Sequence, residues 1–81
     1  MDEESLTLYP NPANDFINAS FTGISGKVGI TVYNMQGAIV RHSELLDPVS
    51  ERIDLSGLPA GIFLLEVRTP EGNITKKIVV E

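Results

Sequence analysis

Histidines, cysteines and paired acids are the side chains from which most catalytic and metal sites are built, and this chain has few of them. His42 is its one histidine, in a predicted strand between Arg41 and Ser43, and the chain contains no cysteine. Without cysteine there are no disulfides, zinc–thiolate sites or iron–sulfur clusters. Acid–base and nucleophilic catalysis each need a second group beside the first. The sequence therefore predicts a protein that is not an enzyme and that uses no cofactor.

One group of oxygen-bearing side chains comes closest to a metal site. Asn11, Asn14 and Asp15 place three side-chain oxygens near a single turn. Calcium takes about six to eight oxygen ligands, and only one of these three residues is a carboxylate. Asn and Asp also cap turns by accepting hydrogen bonds from backbone amides. We therefore expect turn capping here and predict no metal ligands.

The charge balance argues against nucleic acid as a partner. The 81 residues include 6 Lys and Arg against 11 Asp and Glu, which gives a net charge of −5. Three of the acids are Asp2, Glu3 and Glu4, so the rest of the chain is only weakly acidic. Nucleic-acid binding needs a basic stripe that displaces counterions. No apolar run reaches the ~20 residues of a membrane helix, so we expect neither nucleic-acid binding nor membrane insertion.

The chain is long enough for one small domain. The elements that would position any site in it are predicted to be strands. Apolar residues alternate with polar ones, and Gly, Pro, Asn and Asp interrupt the alternation about every eight to twelve residues. The predicted strands span residues 6–9, 16–21, 28–33, 38–46, 52–55, 62–69 and 74–81. This pattern predicts an all-β fold, an immunoglobulin-like antiparallel β-sandwich of about seven strands. The Cys and Trp residues typical of true immunoglobulin domains are absent, so only the architecture is implied.

Side-chain alternation also predicts which residues are buried. Phe63, Leu65 and Val67 share one face of the most apolar stretch, which indicates a central strand. The Phe and Tyr residues fall mostly at core positions of the pattern. Tyr9 is accordingly expected to be a core anchor.

Prolines and glycines mark the turns. Pro10 and Pro12 have no amide hydrogen and fix φ, which predicts a rigid turn or the exit of an edge strand. Gly37 ends a predicted hairpin turn that begins at Asn34, where a positive φ is needed. Gly61 is expected for the same backbone reason, or because another segment approaches it closely.

The last predicted strand has a distinctive charge pattern, since Lys76 and Lys77 directly precede Ile78, Val79 and Val80. Lysines on an edge strand discourage pairing with other chains. A strand with free backbone groups can also add to the sheet edge of a receptor, where alternate side chains supply specificity. The residues alone leave both interpretations open.

Four segments resemble one known family in their order and spacing. Residues 8–15 resemble the Tyr-Pro-Asn-Pro opening of the C-terminal sorting domains, type A, of the type IX (Por) secretion system of Bacteroidetes. Residues 32–37, 55–63 and 76–80 are similar to the middle and closing segments of those domains. The resemblance covers residues 6–81 as the sorting domain and leaves residues 1–5 as a linker or an expression remnant. The matching motif positions are Tyr9, Pro10, Asn11, Pro12, Gly37, Gly61 and Phe63, and at Phe63 tyrosine is usual.

The resemblance implies a noncatalytic signal that directs a cargo protein across the outer membrane through the type IX secretion system. The cargo would be fused upstream, pass through the periplasm and be secreted to the cell surface or beyond. The implied partners are translocon or shuttle proteins of the system and a sortase-like peptidase that removes the domain. We expect the translocon to recognise the last strand, chiefly through Lys76, Lys77, Ile78, Val79 and Val80.

A second function stays open beside the first. A β-sandwich of this size can also be a fibronectin-like binding or adhesion module for carbohydrate or protein. Such modules expose aromatic side chains on one face, whereas the aromatic residues of this chain fall at predicted core positions. An edge strand without protection also leaves open a weak or strand-swapped homodimer.

Overall fold

The fold was determined as a computed structural model that describes residues 5–81, and it consists of seven strands in two antiparallel sheets. The predicted linker at residues 1–5 lies, apart from Ser5, outside the described residues. The strands are β1 (Leu6–Tyr9), β2 (Phe16–Phe21), β3 (Lys27–Tyr33), β4 (Ile39–Leu46), β5 (Ser50–Asp54), β6 (Gly61–Thr69) and β7 (Gly72–Val80).

The two sheets have the strand orders β1-β2-β5 and β4-β3-β6-β7. All neighbouring strands are antiparallel. The predicted all-β sandwich is therefore confirmed, and the strands differ from the predicted ones by at most two residues at an end. None of the elements in the described residues is a helix with the length and hydropathy of a membrane span.

The core lies between the sheets and follows the period-two alternation of the strands. β6 is an inner strand of the four-stranded sheet, as predicted, with Phe63, Leu65 and Val67 buried. In β2 the buried residues are Ile17, Ala19 and Phe21. Leu6, Ala13, Val28, Ile30, Val32, Ile53, Leu55, Ile74, Ile78 and Val80 complete this cluster.

Long cationic side chains connect the two sheets at both of their sides. On one side, the Lys76 ammonium of β7 donates to the Leu6 carbonyl of β1 at 2.9 Å. On the other, the Arg41 guanidinium of β4 donates to the carbonyls of Asp54 and Ser56 at 2.9 and 2.6 Å. Both side chains are half-buried, and each charged head reaches a carbonyl at the rim. The sandwich is thus closed by polar contacts where its core ends.

The expectation for Tyr9 was wrong, because Tyr9 is 49% exposed. Leu6 is buried and Leu8 packs against the core, so these two residues occupy the inner face of β1. Strand alternation then directs Tyr9 and Thr7 outward. Of the remaining aromatic residues, Phe21 and Phe63 are buried as expected, whereas Phe16 and Tyr33 are only half-buried.

Candidate functional site

The strand register brings the four motif segments to one end of the sandwich. In the four-stranded sheet, Tyr33 pairs with Ile39 and with Leu64, and Gly61 pairs with Val80. In the other sheet, β1 ends and β2 begins at this end, opposite the end of β5. We call this end the motif pole, residues 9–15, 33–39, 55–63 and 79–81. The opposite pole consists of residues 22–27, 46–50 and 69–72.

Residues 11 and 13 of the first motif lie against β7. The Asn11 side chain donates through Nδ2 to the Lys77 carbonyl at 3.3 Å and accepts the Val79 amide at Oδ1 at 3.1 Å. Ala13 is fully buried and forms a parallel bridge with Val80. The turn-capping expectation for Asn11 was therefore wrong, because its amide bonds the backbone of a distant strand.

The two lysines of β7 have different surroundings, because neighbouring side chains on a strand point to opposite faces. Lys76 lies on the same face as the buried Ile74 and Ile78, and its half-buried stem ends at the Leu6 carbonyl. Lys77 is exposed on the outer face.

Among the five residues predicted for recognition, therefore, only Lys77 and Val79 have side chains on the outer face of β7. Val79 is half-buried there, while Ile78 and Val80 belong to the core. The sequence contains a signal for this placement. Lys76 is two residues away from both Ile74 and Ile78, and residues two apart on a strand share a face.

The second motif forms the β3–β4 hairpin. Asn34 Oδ1 accepts the amides of Gln36 and Ala38 at 3.0 and 2.9 Å. Gly37 has φ 88°, and Gly61 in the third motif has φ 154°. No heavy atom lies within 4 Å of where a Cβ would be placed on either glycine. A positive φ, rather than close approach of a neighbour, therefore accounts for both glycines.

A shallow cleft separates this hairpin from the β5–β6 connection. Its volume is about 290 Å³, and Met35 and Ile62 on its rim are 60% and 44% exposed. Leu58 and Phe63 contribute the more buried part of the lining. The cleft has no charged residue in its lining, so it can accommodate an apolar side chain but has no group for acid–base chemistry.

Charged residues gather beside the motif pole, around Asp54 at the end of β5. Its Oδ1 accepts the Ser56 amide at 2.9 Å. Hydrogen bonding from Ser56 is the main cause that lowers the pKa of Asp54 below its usual value, and the positive charges of Arg41 and Arg52 lower it further. Arg52 also stacks over the Phe16 ring at 3.7 Å. These contacts fix the start of the β5–β6 connection.

The remaining chemically capable residues lie apart from one another. His42 is exposed on the outer face of β4, with Nδ1 2.9 Å from Thr31 Oγ1. Within residues 5–81, no group of three or more His, Cys, Asp or Glu side chains is placed to hold a metal ion.

The fold is a small β-sandwich in which four sequence motifs lie at or next to one end. The family model for secretion system C-terminal sorting domains matches residues 7–81, and this chain belongs to that family. Its resemblance to type IX sorting domains is thereby confirmed. Domains of this family are generally noncatalytic, and their role is that of a secretion signal.

One relative with a similar sequence is a much longer protein. Beta-agarase D from Zobellia galactanivorans is 35% identical over 77 residues, which cover 95% of this chain. The chain spans only 15% of the length of that protein. Sorting domains of this family act as signals for export to the cell surface or the extracellular space.

A solved structure shows the same architecture. A DUF3244 family protein from Bacteroides vulgatus, with an immunoglobulin-like β-sandwich fold, aligns with a TM-score of 0.81 over 95% of this chain and 85% of its own. The two are 15% identical, so the likeness concerns the fold alone. It confirms the immunoglobulin-like sandwich.

Proposed function

We propose that the translocon of the type IX secretion system recognises this domain at the motif pole and on the adjoining outer face of β7. The observation that supports this most is the convergence of four motif segments, distant in sequence, on one end of the sandwich. Several motif residues also have a structural role there, in the turns, in the core or against β7, so the proposed contact concerns the side chains that point outward.

Within the predicted contact at residues 76–80, the two outward side chains are proposed to touch the translocon. Lys77 is exposed, and Val79 lies beside Ile62 on β6. Lys76, Ile78 and Val80 then act indirectly, because they hold β7 against the core and against β1. The prediction for the whole segment is in this way divided into contact residues and positioning residues.

Lys77 is the cation on β7 that is available to an acidic partner. The ion pairs found within residues 5–81 are Lys27 with Glu44 at 3.7 Å and Arg68 with Glu66 at 3.0 Å. Lys77 belongs to neither. An acidic group on the translocon can therefore pair with it without first displacing an internal partner, and interfacial charge pairs of this kind favour specificity and rapid association.

The route of the cargo follows from this role. We propose that the cargo fused upstream reaches the periplasm, crosses the outer membrane once the domain is recognised, and is then separated from it by a sortase-like peptidase. Residues 6–81 are the compact domain in this proposal, and residues 1–5 belong to the linker that is cut. No residue of the domain itself is assigned to that cleavage.

The test is an export assay on a reporter fused to this domain in a bacterium with a working type IX system. Lys77→Ala is compared with Lys27→Ala, which removes an exposed lysine at the opposite pole. Loss of one interfacial charge pair worth ~1.4 kcal/mol lowers binding about tenfold, so we expect a clear fall in export for Lys77→Ala only. Equal export of both variants, with equal melting temperatures, contradicts the proposed contact.

Lys76 needs a different substitution, because its stem is packed and its ammonium bonds Leu6. Lys76→Met retains most of the stem and removes the hydrogen bond, which is worth about 1 kcal/mol in stability. We expect a lower melting temperature and unchanged export at a growth temperature where the variant stays folded. A loss of export from a fully folded Lys76→Met protein would show that this ammonium is itself recognised.

The alternative, a binding module for carbohydrate or protein, has less support from the structure. It requires several exposed aromatic side chains on one face. The Phe and Tyr residues all lie within residues 5–81, and only Tyr9 among them is exposed. A single ring at the edge of β1 does not form such a face, so the sorting role is the function we propose.

A further inference from the structure

The chain enters the sandwich at the opposite pole. Leu6, the first residue of β1, pairs with Phe21, and the Ser5 carbonyl accepts the Thr22 amide at 2.9 Å. Residues 22–27 belong to the opposite pole, so the segment that precedes β1 joins the domain there. The linker of the proposed function is therefore attached at one end of the sandwich, while the proposed translocon surface lies at the other.

The two ends are well separated along the strands. β6 runs from Gly61 at the motif pole to Thr69 at the opposite pole. At a rise of ~3.3 Å per residue, this strand extends over about 26 Å. A partner bound at the motif pole therefore leaves the attachment point of the linker uncovered. The protein that cuts the linker and the protein that recognises the motif pole do not compete for one surface.

The short reach of the linker brings the peptidase close to the opposite pole. Residues 1–5 span at most about 17 Å when fully extended. A specific protein contact buries about 800 Å² on each partner, and a round patch of that area has a radius of about 16 Å. A peptidase bound at a cut within this linker is therefore near enough to contact the loops around Leu6.

Large exposed apolar side chains lie within that distance. Leu46 and Val49, at 74% and 76%, are the most exposed of the large apolar residues within residues 5–81. The Val49 carbonyl accepts the Phe21 amide at 2.8 Å, so Val49 and Leu6 lie on either side of Phe21. Two strand spacings separate them by about 10 Å. Leu46 lies three residues before Val49, where β4 ends.

The surroundings of Leu46 have the anatomy of a protein contact. A shallow cleft of about 310 Å³ is lined by Leu45 and Leu46 together with Lys27 and Glu44. The Lys27 ammonium and the Glu44 carboxylate pair at 3.7 Å, and both side chains are exposed. Apolar side chains are thus flanked by exposed charges, as at interfaces that have an apolar centre and a polar rim.

We propose that the sortase-like peptidase contacts the domain at the opposite pole, with Leu46 and Val49 as apolar anchors beside the linker that it cuts. The inference rests on the proposed function, because it assumes that the domain is removed. Binding of the linker and of the pole by one protein strengthens both contacts, since the second forms at a high effective concentration. The motif pole stays available to the translocon during the cut.

The test compares Leu46→Ser/Val49→Ser with Leu46→Met/Val49→Ile, which keeps both side chains apolar. Each variant is fused to two unrelated reporter proteins in a bacterium with a working type IX system. Pulse-chase labelling follows how fast the exported reporter loses the domain. We expect normal export of both variants and removal at least about tenfold slower for the serine variant, the effect of losing ~1.4 kcal/mol of binding.

The outcomes separate this inference from the proposed function. Equal removal rates in the two variants, with normal export, overturn the inference and leave the sorting role intact. Slower removal with only one of the two reporters also overturns it, because the apolar side chains then contact the cargo and not the peptidase. Failure of the unsubstituted domain to export either reporter contradicts the sorting role itself, and export without any removal contradicts the cleavage on which the inference rests.

Melting temperatures of the 81-residue chains establish that both variants are folded. We expect them to agree closely, because substitutions of exposed side chains change stability little. Should the double serine variant fail to fold, Val49→Ser is compared with Val49→Ile in the same assay. Slower removal for Val49→Ser is the expected result, and equal rates for this pair overturn the inference.

Discussion

The two poles of the sandwich expose apolar side chains alike but close their backbones differently. Leu46 and Val49 at the opposite pole are 74% and 76% exposed, more than Met35 or Ile39 at the motif pole. At the opposite pole, the Asp47 side chain accepts the Gly26 amide, and the Thr69 side chain bonds within its own turn. Exposure of apolar surface by itself therefore does not distinguish the two poles.

At the motif pole one closing contact spans a much longer stretch of chain than the hydrogen bonds of the opposite pole, such as those of Asp47 with Gly26 and of Val49 with Phe21. Asn11 reaches residues of β7 that lie 66 and 68 positions later in the chain. Arg41 joins β4 to the end of β5 and to the connection that follows. The comparison teaches that the motif residues have a structural task at this pole as well as a proposed recognition task. Experiments must separate the two.

The largest expected effect tests whether the two poles share one core. Ile78 and Ile74 are buried residues on the inner face of β7, the first toward the motif pole and the second toward the opposite pole. Replacing either by Ala leaves a cavity that costs about 2–4 kcal/mol. Urea unfolding of both variants is expected to show similar losses, because the core cluster is continuous.

The outcome of this pair separates stability from sorting. A domain of this size is stable by only about 5–10 kcal/mol, so either variant lowers the melting temperature by more than about 10 °C. A strong loss for Ile78→Ala with almost none for Ile74→Ala would mean that the poles unfold independently. The two poles would then differ in stability. A loss of export in a motif-pole variant would have to be compared with the local unfolding of that pole.

A smaller effect distinguishes the turns of the two poles. Gly26 at the opposite pole has φ 86°, and a Cβ placed on it would lie 3.1 Å from Pro70 Cγ. Gly37 at the motif pole has nearly the same φ but open space around it. Left-handed backbone costs an L-residue about 1–2 kcal/mol. Gly37→Ala is expected to lose about 1 kcal/mol, and Gly26→Ala about 2, because the Pro70 ring must also move.

Chemical denaturation of the two glycine variants measures this difference directly. Equal losses would show that the Pro70 ring yields without cost, so that conformation alone governs both turns. A larger loss for Gly37→Ala would contradict the closer packing of the opposite pole.

Local rules were enough to predict much of the fold from the sequence. The β2 boundaries at Phe16 and Phe21, the hairpin around Asn34 and the buried face of β6 all follow from alternation and turn chemistry. The convergence of the motifs was not predicted. It depends on which strands pair, and strand order in a sandwich is set by the tertiary packing of residues far apart in sequence.

Within the site, two predictions left out the alternation of side chains along a strand. Tyr9 was assigned to the core as a large ring, whereas Leu6 and Leu8 already determine the inner face of β1. Lys76 and Lys77 were treated as one charged spot, although neighbours on a strand face opposite sides. The bonding of Asn11 to β7 had no local signal at all, because its partners are contributed by the other end of the chain.

The smallest effect concerns the charge of Asp54, beside the motif pole. The pKa of Asp54 is lowered in the folded protein, chiefly by hydrogen bonding from Ser56, from a model-compound value of 3.8. A lowered folded-state pKa adds stability at pH values above about 4, and this contribution is lost as the pH falls through the folded-state value.

Asp54→Asn retains an oxygen acceptor for the Ser56 amide but has no charge to titrate. At pH 7 the unchanged protein is therefore expected to have a slightly higher melting temperature than Asp54→Asn. The difference in stability should be smaller than that between the two glycine variants, because Asp54 is exposed to solvent. The gap should narrow as the pH is lowered from about 4 toward 2. Melting curves of both proteins across this range measure it. A gap that is constant with pH would mean that Arg41 and Arg52 hold the β5–β6 connection without help from the Asp54 charge.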